Sequence, residues 1–169
     1  YALDANTTAS YNTAVGYVAL SANTTGANNT GLGSDVLVSN TTASNNTAVG
    51  YYALQANTTG ASNTVLGAYA LDNNTTGSQN TAVGYASLTA NTTADNNTAL
   101  GWKSLYVNTT GASNVAVGKG ALTANTTGNY NSAFGENALL ANTSGAQNSG
   151  IGRYTLATNT TGNNNIAVG

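Results

Sequence analysis

The sequence predicts an all-β fold, a parallel β-solenoid or β-roll of ten 17-residue coils with two short strands per coil. Three observations carry this. First, a glycine after a large apolar residue returns at Gly16, Gly33, Gly50, Gly67, Gly84, Gly101, Gly118, Gly135, Gly152 and Gly169, always 17 residues apart. Second, some positions in that frame never change while others vary freely, which marks stacked structural units. A disordered tract has low charge too, but no reason to keep register. Third, 17 residues are too few for a helix pair, and a glycine in every unit would interrupt a helix. The short apolar runs alternate with period two instead, as strands do.

With that glycine as slot 17, each slot can be read in order. Slot 4 is Leu in all ten units: Leu3, Leu20, Leu37, Leu54, Leu71, Leu88, Leu105, Leu122, Leu139 and Leu156. These are the predicted core. Slot 7 is always Asn: Asn6, Asn23, Asn40, Asn57, Asn74, Asn91, Asn108, Asn125, Asn142 and Asn159. Slot 8 is always Thr, and slot 9 is Thr except at Ser144. Slot 13 is a second constant Asn: Asn12, Asn29, Asn46, Asn63, Asn80, Asn97, Asn114, Asn131, Asn148 and Asn165. Slot 16 is always large and apolar, from Val15 through Phe134 to Val168. Slots 1, 2, 5, 11 and 12 vary.

Strands are expected near slots 2 to 6 and 13 to 16, with turns around slots 8 to 12 and at slot 17. Glycine at slot 17 suits a corner with positive φ. Slot 10 holds Gly seven times but Ala at Ala9, Ala43 and Ala94, which argues against a left-handed backbone there. With strands ~4.8 Å apart, ten coils make a rod ~48 Å long. Alternation places slots 14 and 16 inward and slot 15 outward. Slot 15 is never polar, so an outward slot 15 would pack against another chain or sheet.

Stacking explains the constant asparagines. Each slot lies over its own copy, so identical amides can bond up the column, as in cross-β Asn ladders. An unpaired buried amide costs about 1–3 kcal/mol, and a ladder removes that cost. Slot 7 is also the first residue of Asn-Thr-Thr (once Asn-Thr-Ser), the acceptor signal for N-linked glycans. The ten slot-7 asparagines, Asn6 to Asn159, are therefore candidate acceptors as well as ladder residues. Asn28, Asn45, Asn73 and Asn96 match the signal too. The signal leaves its middle residue free, yet slot 8 is Thr every time; and acceptors ~4.8 Å apart would crowd their glycans. In favour of a glycan, the one change at slot 9, Ser144, preserves the signal.

Composition excludes much chemistry. There is no Cys, His, Met or Pro. Disulfides, imidazole bases and the usual Zn, Fe or Cu donor sets are absent. The net charge is -2 and no basic stripe exists, so nucleic acid is not an expected partner. No apolar run reaches the roughly 18 residues of a membrane span. Lys occurs only at Lys103 and Lys119, and no nucleophile–base pair is visible. Neither an enzyme nor a cofactor is expected. Lys119, Glu136 and Arg153 stack with alternating sign at slot 1. Aromatic residues fill slot 1 (Tyr17, Tyr51, Tyr85, Trp102) and slot 2 (Tyr1, Tyr52, Tyr69, Tyr154). They read as stacking pairs, such as Tyr52 on Tyr69 and Tyr85 on Trp102, or as a sticky surface for sugars or partner chains.

The string Asn46 to Thr64, NTAVGYYALQANTTGASNT, resembles the repeats of phage and bacterial tail-fibre-like proteins. It is also similar to the Asn-x-Ala-[Val/Ile]-Gly repeats of trimeric autotransporter adhesin heads, matched here at Asn46, Ala48, Val49 and Gly50. The resemblance spans the whole chain, although adhesin head repeats are usually shorter. It implies left-handed parallel β-rolls, trimers and binding to host surfaces. The combined expectation is one repeat segment, 1–169, of a longer structural and adhesive extracellular fibre, on a cell or virion surface or in an environmental fibril. Its expected partners are further copies, as a trimer or end to end, and a host surface or glycan. The alternatives are an ice-binding solenoid and a glycan-coated fibril.

Overall fold

The structure, a computed structural model, describes residues 1–169. Its ten strands are β1 (Thr13–Val15), β2 (Thr30–Leu32), β3 (Thr47–Val49), β4 (Thr64–Leu66), β5 (Thr81–Val83), β6 (Thr98–Leu100), β7 (Val115–Val117), β8 (Ser132–Phe134), β9 (Ser149–Ile151) and β10 (Ile166–Val168). They form one parallel sheet in sequence order, and every pair keeps the 17-residue register, as in Thr47↔Thr64. The chain is a β-solenoid with one coil per repeat.

Each coil has one strand where two were expected. The arc over slots 1 to 6 is a chain of turns with positive φ at slots 2 and 4. All ten slot-4 leucines have φ between 49° and 54°. A left-handed backbone costs a non-glycine residue roughly 1–2 kcal/mol. It persists because it aims successive N–H groups at neighbouring coils. Tyr52 N donates to Ser34 O of the coil before (3.2 Å), and Leu54 N to Ala70 O of the coil after (3.0 Å). Only 18 of 106 backbone hydrogen bonds lie within the strands, so the turns carry much of the cohesion between coils.

The faces of the strand are the reverse of those predicted. Slot 15 points inward: Ala48, Val65, Ala82, Ala99, Ala116 and Ala133 are buried in the core cluster with the leucines. Slots 14 and 16 point outward, and Val15, Leu66, Phe134 and Ile151 are exposed. Slot 15 stays small because the opposite wall is close. A Cβ added at Gly31 would lie 3.2 Å from Val36 Cγ1 and 3.4 Å from Leu20 Cδ1. A Cβ at Gly150 would lie 3.0 Å from Thr155 Oγ1. Both glycines sit at slot 15, facing the bulkier slot-3 residues Val36 and Thr155. Where slot 3 is Ala, as at Ala53 and Ala138, slot 15 is Ala48 and Ala133. At these positions a bulkier residue on one wall is matched by a smaller one on the other, as close packing favours, while Val65 with Ala70 departs from the trade.

Leu20 to Leu139, one per coil, are fully buried, and Leu3 and Leu156 in the outer coils pack against the cluster. Slot 17 turns the corner with φ between 123° and 143° from Gly16 to Gly152, Gly120 being a separate slot-2 glycine. Glycine is required there twice over, since a Cβ on Gly50 would lie 2.7 Å from Gly67 C of the next coil. No positive φ occurs at slot 10, as its alanines anticipate.

Candidate functional surfaces

The two asparagine columns meet at one carbonyl per coil. Asn74 Nδ2 donates to Asn57 Oδ1 of the coil before (2.9 Å) and to Gly77 O in its own turn (2.9 Å). Asn91 Nδ2 then donates to Asn74 Oδ1 (2.9 Å). From the slot-13 column, Asn63 Nδ2 donates to the same Gly77 O (3.0 Å), while Asn80 N donates to Asn63 Oδ1 (2.9 Å). Both lone pairs of the slot-10 carbonyl are therefore used. The slot-7 ladder runs without a break from Asn6 to Asn159. No buried side-chain N or O lacks a partner.

This geometry bears on the acceptor signal. In the eight inner coils the slot-7 side chain is fully buried, and both Nδ2 hydrogens are donated within the fold. A sugar on that nitrogen would displace at least one of these bonds and open the coil. Asn28, Asn45, Asn73 and Asn96, by contrast, are exposed. The constant Thr at slot 8 has a packing reason: its hydroxyl straps adjacent coils, as Thr58 Oγ1 to Thr75 O (3.0 Å) and Thr126 Oγ1 to Thr143 O (3.0 Å). Slot 9 differs. Its Thr residues and Ser144 are exposed in every coil, and their hydroxyls make no hydrogen bond within the chain. Side-chain bonding and burial do not account for that constancy.

The outer sheet face carries two columns. Slot 14 holds Thr from Thr13 to Thr98, then Val115, Ser132, Ser149 and Ile166. Slot 16 is an apolar column one residue wide and ten coils long, with Leu66 50% and Ile151 47% exposed. The expected outward slot 15 is thus replaced by an outward slot 16, which is bulkier and more apolar.

The variable slots form a third surface. Tyr52 and Tyr69 stack as predicted, with centroids 5.7 Å apart and planes at 6°. Tyr51 packs edge-on to both. Hydrogen bonding with the Tyr52 hydroxyl is the main cause pushing the Tyr51 phenol up to about 12. Tyr85 meets Tyr69 edge-on at 5.9 Å, where stacking on Trp102 was expected. Trp102 instead lies under Lys103 Nζ at 4.8 Å and Lys119 Nζ at 5.9 Å. Glu136 bridges Lys119 (3.5 Å) and Arg153 (3.0 Å), so the slot-1 charges pair along the rod. All three side chains are exposed, which limits each pair to roughly 0.2–1 kcal/mol. Comparison of the chain with family models, curated proteins and solved structures gives no match.

Proposed function

We propose that this solenoid is a structural and adhesive segment of an extracellular fibre, assembled from copies packed side by side along the slot-16 column. The observation that carries this reading is the apolar column itself. A solvated sheet face is ordinarily polar, and a long contiguous apolar strip marks an interaction surface. A second copy is the favoured occupant because it has the same coil spacing along its whole length. Leucine or valine of one rod can then seat between those of another, coil after coil. The laddered, repetitive scaffold supports a mechanical role. Sedimentation analysis of the wild type against a Leu66→Asp, Ile151→Asp double variant tests this. The wild type is expected to sediment as a multi-chain species and the variant as single chains. A wild type that remains a single chain at high micromolar concentration refutes side-by-side packing.

One observation favours a second reading, an ice-binding rod. Slot 9 presents a constant hydroxyl column at ~4.8 Å spacing that intrachain hydrogen bonding leaves free. Slot 14 adds a threonine column over six coils of the sheet. Growth arrest of ice crystals by the wild type, abolished by Thr→Tyr changes at slot 9, would establish this reading. Unimpeded crystal growth would end it.

A further inference from the structure

Slot 2 loses its large side chain at Ala86 and at Gly120; the Asn137 side chain of the next coil fills the space at Gly120, whereas that at Ala86 stays open. Slot 2 holds Tyr52 and Tyr69 in coils four and five and Lys103 in coil seven, but Ala86 in coil six. The missing side chain leaves a cavity of about 270 Å3. Tyr69 and Lys103 wall it on the coils before and after. Tyr85 bounds it on the slot-1 side, with Asp72, Thr89 and Tyr106 on the slot-5 side. We propose that this gap binds a single hexopyranose unit of a neutral saccharide. The site goes beyond the fibre role and does not depend on self-association.

Size, shape and polarity support this ligand class. The cavity is near the lower end of small-molecule sites, roughly 300 Å3, which suits one ring. Tyr69 and Tyr85 stand at 76° to one another and make a corner of two aromatic surfaces. A pyranose has apolar C–H faces to lie on such rings and hydroxyls around its rim. The rim groups of the cavity match those hydroxyls. The Asp72 carboxylate takes one side-chain donor, Asn73 Nδ2 at 3.2 Å, and retains acceptor capacity. Thr89 Oγ1 donates to Tyr69 O at 2.9 Å, which leaves its own lone pairs free. Lys103 supplies N–H donors.

A cationic ligand would also suit tyrosines and a carboxylate, as in aromatic cages. Lys103 disfavours it. Its Nζ already lies 4.7 Å from the Tyr106 ring centroid, so that face holds an internal cation that repels a second one.

Saturation-transfer NMR with a panel of methyl hexopyranosides tests the proposal, with tetramethylammonium as the competing probe. At least one glycoside is expected to receive saturation at its ring protons and to bind with a millimolar dissociation constant. Ala86→Tyr fills the gap and should weaken binding at least tenfold. The backbone there has a φ of 52°, close to the 57° and 56° at which Tyr52 and Tyr69 sit in the same slot. Tyr85→Ala, in an exposed slot, should weaken binding at least threefold, whereas Tyr130→Ala, on a remote turn, should change nothing. Absence of saturation for every glycoside, equal binding by the Tyr85→Ala variant or by a folded Ala86→Tyr variant, or preference for tetramethylammonium overturns the assignment.

Discussion

Replacing Asn74 by Asp exchanges one NH2 group for one oxygen and leaves the side-chain shape intact. In the native coil that nitrogen lies 2.9 Å from both Asn57 Oδ1 and Gly77 O. The new oxygen would face two acceptors at hydrogen-bond distance with nothing to share. Asn57 Oδ1 would lose its side-chain donor, and Gly77 O would keep only Asn63 Nδ2, at 3.0 Å. At neutral pH the site then holds an uncompensated buried carboxylate, a loss of about 3–5 kcal/mol. Protonation restores one donor, so at low pH the loss should shrink to about 1–3 kcal/mol. The introduced carboxyl is thus raised in the folded state; the coil is most stable below the ordinary aspartate pKa and weakens as pH rises through the folded value. A solenoid responds locally, because each coil contacts only its neighbours. Hydrogen exchange is therefore the appropriate assay. Leu71 N and Thr75 N donate to the next coil at 3.0 and 2.8 Å, and Thr143 N does the same far along the rod at 2.8 Å. The first two amides should exchange between about 140-fold and about 4,000-fold faster than in the wild type at pH 7, at 1.4 kcal/mol per decade. Thr143 should change far less. Asn96→Asp, on an exposed turn, serves as the reference. Equal protection in the two variants would refute the claim that slot-7 amides hold the coils together.

Two further predictions follow from packing and charge. Gly31→Ala should destabilise by about 1–3 kcal/mol through overpacking against Val36, and Val36→Ala in the same chain should recover most of that; strict additivity in denaturant titrations would disprove the shared-volume account of slots 3 and 15. Asp72 has its carboxyl raised to about 6 by desolvation, so its contribution to stability is full below the unfolded value near 3.8 and is lost as pH rises through about 6. Asp72→Asn should therefore stabilise the chain more at pH 7 than at pH 4, and a difference between the two unfolding midpoints that does not grow with pH would contradict this.

Most of the architecture was legible because stacking imposes its own period. Constant Asn57 and Asn63 announce ladders, Gly50 announces a corner and Leu54 announces a core, each because only one neighbour environment is repeated. The inside and outside of the strand were not legible from hydrophobicity. Val49 and Leu66 are larger and more apolar than Ala48 and Val65 beside them, yet they face out. The decisive quantity was space: the wall opposite the strand, as at Ala53 and Leu54, leaves room for a column that is mostly alanine, and Val65 is the largest residue it holds. The pairing of Gly31 with Val36 and of Gly150 with Thr155 was the available sign. The turn arc was hidden for a different reason. Leucine is a poor candidate for φ near 50°, and nothing local at slot 4 signals it; bonds to both adjacent coils enforce it. Slot 12 gave a partial cue, since Asn28, Asn45, Asn96 and Asn164 tolerate that conformation. The Ala86 gap was invisible until slots 1, 2 and 5 of three coils were brought together.

The asparagine ladders also give the rod a direction. In the slot-7 column every amide donates toward the N-terminal coil and accepts from the C-terminal one, as Asn40 to Asn23 and Asn142 to Asn125. In the slot-13 column Oδ1 likewise accepts from the following coil, as Asn29 Oδ1 does from Asn46 N. The slot-7 amides are aligned head to tail, so their dipoles add along the rod, whereas slot-13 Nδ2 also donates to the following coil, as Asn29 Nδ2 does to Ala43 O. Within the slot-7 column, a boundary between coils therefore presents an amide NH2 on one side and a bare oxygen on the other. Two like ends of that column cannot pair, whereas unlike ends complete it. The rod therefore has a head that differs chemically from its tail.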